Sequence, residues 1–99
     1  MGEPSPRWKP QGFEECLQTW DDLEHPDDDL RLYVVEWIFS RLDDPYQGVK
    51  REPGFSNLWW GMVPGTFHGD GKVVVCSYWV VESERVVRCE SLASLSWPV

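Results

Sequence analysis

Two apolar runs, Lys72 to Val81 and Arg85 to Leu92, flank the polar residues Glu82, Ser83 and Glu84. β-Branched and aromatic residues suit a pleated surface, and so short a polar connector forces the chain to return antiparallel. The stretch from Lys72 to Leu92 is therefore predicted to be a β-hairpin. Everything before it must supply what the hairpin packs against.

Upstream, Phe13, Cys16, Leu17, Trp20 and Leu23 recur at three- and four-residue steps, the spacing of one helix face. That helix should stop near His25, because the residue before Pro26 is pushed out of the α region. Pro26 is read as the opening of a second helix, with Asp27, Asp28 and Asp29 in its first turn facing the positive end of the dipole. Leu30, Val34, Trp37, Ile38 and Arg41 share a face, which Tyr33, Val35, Phe39 and Leu42 widen. A face that broad implies packing on both the first helix and a sheet. Asp43, Asp44 and Pro45 close the helix.

Arg7 to Pro10 suits a very short edge strand, since Pro10 cannot donate to a ladder. Tyr46 to Asn57, with Gly48, Pro53 and Gly54, reads as a loop. Leu58 to Val63 reads as a strand with Leu58, Trp60 and Met62 on one face and Trp59 and Val63 on the other, and Gly61 signals a bulge or a close approach. Pro64–Gly65 and Gly69–Gly71 are turn signals around His68, and Gly-rich connections are where sites tend to sit. Trp97, in the tail after Leu92, is expected to dock back. The order is β-α-α-β-β-β: an α+β fold with a helical hairpin on a three- to four-stranded antiparallel sheet, one domain over residues 1–99, of which 1–6 form a flexible tail.

The formal charge of −8 is unevenly spread. Met1 to Pro45 holds twelve acids against four bases, and Tyr46 to Val99 five of each. An acidic field disfavours nucleic-acid phosphate and favours a basic partner, although a solvated helix face is the simpler explanation. Three Cys without CxxC spacing or clustered His predict buried free thiols, no metal and no cofactor. No run of about 18 apolar residues is present, nor the apolar core of a signal peptide, so a cytoplasmic protein without membrane contact is expected.

The element order, with Trp8, Phe13, Cys16–Leu17 and Trp20, then Val34, Trp37–Ile38, Leu42 and Asp44–Pro45, then Gly54, Leu58–Trp59 and Val63, then Val73 to Val81 and Val86 to Leu92, resembles the RelE/ParE superfamily of bacterial toxin–antitoxin toxins. The resemblance covers almost the whole chain and consists of apolar positions. It implies growth arrest, by cutting messenger RNA on the ribosome or by inhibiting DNA gyrase, and a cognate antitoxin as partner. RelE-like ribonucleases carry Lys and Arg on the sheet to stabilise the charge that builds up as the ribose 2′-hydroxyl attacks phosphorus. Here only Lys72 stands at the start of the relevant strand, and Ser94 to Trp97 is without a base.

The remaining catalytic candidates are His68, Lys72 and Arg51, with His68 as general acid or base. Binding candidates are Lys50, Trp59, Trp79, Arg88 and Trp97. The three Trp are read as alternating onto one incompletely covered face, and Arg88 as an exposed sheet residue or half of a cross-strand pair with an acid. The competing function is a non-enzymatic acidic binding protein, an inhibitor, immunity or anti-defence factor, whose Glu14 to Asp29 face engages a basic surface.

Overall fold

The computed structural model describes residues 7–96. Trp97 and the expected tail over 1–6 lie outside them. In chain order the elements are β1 (Lys9–Gln11), α1 (Phe13–Glu24), α2 (Asp28–Asp43), β2 (Lys50–Arg51), β3 (Leu58–Met62), β4 (Lys72–Val81) and β5 (Val86–Ser96). The class is α+β as expected, with the hairpin β4–β5 at the centre. The sheet has five strands in the order β1-β5-β4-β3-β2.

That sheet corrects the expected three- to four-stranded antiparallel one. β1 runs parallel to β5, Lys9 beside Val86 and Gln11 beside Arg88, because both helices intervene before the chain returns. β2 lies inside the stretch read as a loop; two residues are too few to show any alternation. β5 takes up Ala93 to Ser96, which had been assigned to the tail.

α1 ends where the sequence predicts, with His25 in the left-handed conformation at φ 48° before Pro26. α2 starts later than expected. Asp27 is its N-cap, accepting from the Leu30 amide at 2.8 Å, so Pro26 precedes the helix instead of opening it. Val34, Ile38, Arg41 and Leu42 are buried, but Tyr33 and Phe39, expected to widen the apolar face, are 49% and 55% exposed. The helices cover one side of the sheet only, so a stripe of ordinary width is sufficient to seal it.

The core lies between that side and the helices: Trp20, Val34 and Ile38 against Val74, Cys76, Tyr78, Val80, Val87 and Leu92. At about 1.5–3 kcal/mol for each such large apolar side chain, this layer dominates the stabilisation. Gly61 belongs to it as the close approach that the sequence signals. A Cβ there would lie 2.8 Å from Val49 Cγ1 and 3.3 Å from Trp37 Cζ2. Arg41 is buried too, donating to the Gln47 carbonyl and lying 4.6 Å from the Trp37 ring centre, while the Tyr78 hydroxyl donates to the Pro45 carbonyl. These contacts pin the turn after α2 over the sheet.

Among the described residues, no helix lies on the other side of the sheet. Strand pairing fixes which residues point there. Leu58 lies opposite Trp79, Trp60 opposite Ser77 and Met62 opposite Val75. A bulge leaves Glu90 unpaired between Ser77–Ser91 and Tyr78–Cys89. The extra residue puts Arg88 and Ser91, three apart, on the same open face.

Candidate functional site

Two places on this scaffold gather side chains with chemistry. The first is a groove of about 580 Å³ on the open face, walled by Phe55, Leu58, Trp60, Val75, Ala93 and Leu95. On its floor the Ser77 and Ser91 hydroxyls are 2.6 Å apart. Trp79 meets Phe55 edge to face at 5.6 Å and donates from Nε1 to Glu90 at 2.7 Å. The cations at the rim are engaged: Lys50 Nζ lies 5.8 Å from the Trp60 ring centre, and Arg88 donates to the Gln11 side chain. Arg88 thus has an amide partner where an acid had been expected.

The second is a cavity of about 530 Å³ at the end of the sheet, between the C-terminus of α1 and the Gly-rich turn, lined by Glu24, His68, Asp70, Lys72 and Ser94. His68 and Lys72 exchange backbone hydrogen bonds of 2.9 and 3.0 Å across the turn. The imidazole is held at both nitrogens, Nδ1 at 2.7 Å from the Thr66 carbonyl and Nε2 at 3.3 Å from Ser94 Oγ. Thr66 is itself fully buried and fixed, donating from its hydroxyl to Val63 O at 2.6 Å and accepting from the Val74 amide at 3.2 Å. Glu24 accepts from the Ser94 amide at 2.9 Å and from Trp20 Nε1 at 3.2 Å. Partial burial pushes the Glu24 carboxyl up, but the hydrogen bonds from Ser94 and Trp20, with His68 nearby, hold it below its ordinary 4.5.

His68 and Lys72 therefore come together, and Arg51 does not join them. Arg51 pairs with Trp59, which pairs with Tyr78, six residues along β4 from Lys72. At ~3.3 Å per residue that is about 20 Å. The tryptophans also separate. Trp59 lies opposite Tyr78, packs against the core and meets Tyr46 at 5.1 Å, whereas Trp79 is on the open face. The expectation that they share a face fails because neighbouring strands fix parity through register, which neither strand encodes alone. Glu24, Ser94, Phe55 and Trp60 were not anticipated. Nothing local in the sequence links residues 24, 68 and 94; only the fold does.

The helical half presents its acids with some already occupied: Arg31 pairs with Asp21 at 2.6 Å and with Asp28 at 2.8 Å, and Asp27 caps α2. Cys16, Cys76 and Cys89 are free thiols. Burial and the neighbouring Cys89 push the Cys16 thiol up to about 12, and the neighbouring Cys76 together with burial pushes the Cys89 thiol up as well. Both shifts disfavour the thiolate at Cys16 and Cys89, the form that acts as a nucleophile. Among the described residues no helix is long and apolar enough to cross a membrane, and no group of three or more His, Cys, Asp or Glu is placed to hold a metal ion.

The fold matches a solved structure. The free-state structure of a double arginine-to-alanine mutant of the E. coli toxin RelE superposes with a TM-score of 0.61 at 15% identity, over 87% of this chain and 81% of that one. The fold is RelE-like. No family model and no curated protein matches the chain. On this RelE-like fold the open sheet face is an apolar groove, and the imidazole–hydroxyl–carboxylate cluster sits at the sheet's end on the helix side.

Proposed function

We propose that this chain is a toxin of the RelE/ParE kind, acting in the cytoplasm, arresting growth through a protein contact made by the open face of its sheet, and held in check by a cognate antitoxin. The fold likeness supports the toxin class. The observation that carries the choice of mechanism is the groove lined by Phe55, Leu58, Trp60, Val75, Ala93 and Leu95. Cutting RNA needs cations aimed at a phosphate in the transition state. Here Lys50 lies over Trp60 and Arg88 is on Gln11, so the middle of the face offers apolar surface and two hydroxyls. Such a surface gains most by burying a protein side chain, in the manner of gyrase-type inhibition.

Expression in bacteria should arrest growth, and Trp60→Ala or Leu95→Asp should relieve it by weakening the contact on the order of 30-fold, as for an interface anchor. His68→Ala and Lys72→Ala should leave arrest intact. Folded, soluble groove variants that arrest growth as before would sink this mechanism. Relief by the His68 or Lys72 change, with truncated messenger RNA, would point to ribosome-associated cleavage instead.

One observation favours the acidic binding protein as a second reading. Leu32, Tyr33 and Phe39 are exposed on α2 among Asp29, Glu36 and Asp43, a surface suited to a basic amphipathic partner. Expression without arrest would support it.

A further inference from the structure

We propose that Ser94 is a nucleophile toward activated acyl and phosphonyl esters, with His68 as its general base, in the cavity at the end of the sheet. This reading is independent of the groove on the open face.

The argument begins with the tautomer. His68 Nδ1 lies 2.7 Å from the Thr66 carbonyl oxygen, which can only accept, so Nδ1 carries a proton. In the neutral ring Nε2 then bears the lone pair, and it is the atom 3.3 Å from Ser94 Oγ. The carbonyl that orients the ring belongs to Thr66, a residue anchored to Val63 and Val74, so the imidazole is set by the sheet and not by a mobile loop. Nucleophile, base and a third group that orients the base form the general pattern of an activated hydroxyl.

The remaining groups fit the charges of the reaction. Glu24 fixes the Ser94 backbone through its amide at 2.9 Å and places a negative charge near His68, opposite in sign to the charge the base gains on taking a proton. Lys72 lines the same cavity and supplies the positive charge for the oxyanion. The cavity, about 530 Å³, admits a small ester.

With an ester, the Ser94 Oγ–carbon bond forms as the proton moves from Oγ to His68 Nε2. The bond from carbon to the leaving oxygen then breaks, and the proton passes to that oxygen, releasing the alcohol. Water repeats the sequence at the acyl-serine, yielding the acid and restoring Ser94. With a fluorophosphonate the Oγ–phosphorus bond forms as the proton moves from Oγ to His68 Nε2, the phosphorus–fluorine bond breaks and fluoride leaves, His68 passes its proton to water, and the adduct persists.

The test is labelling of the folded full chain with a fluorophosphonate at neutral pH, read by intact mass and peptide mapping. One adduct is expected, on Ser94, absent in Ser94→Ala. In His68→Ala its rate should fall about 100-fold, the usual contribution of a positioned general base. Circular dichroism establishes that each variant is folded, and Thr66→Val, which leaves the carbonyl in place but removes its anchor, should slow labelling partially. Absence of an adduct on wild-type Ser94, modification of Ser77 or Ser91 instead, or equal rates in folded His68→Ala and wild type would each overturn the proposal.

Discussion

Separate parts of the chain converge on Glu24, since Trp20, Ser94 and His68 all act on its carboxylate. Its folded pKa is depressed below 4.5, so the folded state binds this proton less readily than the unfolded chain. The stability it contributes is fully present above about pH 4.5 and is lost as the pH falls through the depressed folded value. Glu24→Gln removes that linkage. Thermal melts at pH 6 and pH 3 should show a smaller drop in Tm for the variant than for the wild type. Little of this was legible in advance. His68 could be singled out from its Gly-rich turn and Lys72 from the strand start, but Glu24 is one of several acids on α1, and Ser94 belonged to what read as a tail.

At the scale of elements, the periodic segments were legible and the pairings were not. α1 and the hairpin follow from apolar spacing that either element carries within itself. Which faces Trp59, Trp79, Arg88 and Ser91 occupy depends on register and on the bulge at Glu90, both properties of two strands together. Gly61 is the instructive exception, because the missing side chain is visible in the sequence and its reason is the Val49 and Trp37 side chains that cross β3. Gly61→Val should overpack this junction and cost about 1–3 kcal/mol, read as a lower urea midpoint with an unchanged slope. A midpoint unchanged within error would mean that Val49 and Trp37 move aside freely.

The whole molecule carries a charge of −8, with twelve of its seventeen acids in the helical half. The ion pairs among the described residues, Arg7–Asp43, Arg31–Asp21 and Arg31–Asp28, are all substantially exposed and contribute little. Repulsion therefore outweighs attraction, and screening it should stabilise the fold. Raising NaCl from about 10 mM to about 500 mM, a Debye length shrinking from roughly 30 Å to below 8 Å, should raise Tm by a few degrees; a fall would mean the pairs matter more than their exposure implies.

The parallel pairing of β1 with β5 also sets an order of events. The Lys9 amide reaches the Arg85 carbonyl at 2.8 Å, and the Arg85 guanidinium lies 4.6 Å from the Trp8 ring centre, so the edge strand is sewn to the hairpin turn. Contacts spanning so much chain carry the largest loop-closure entropy in the molecule. During synthesis the edge strand has nothing to pair with until residues 85–88 have left the ribosome. The hairpin, whose partners are near neighbours, can close first, and β1, made before either of its strands, is therefore among the last to find its place.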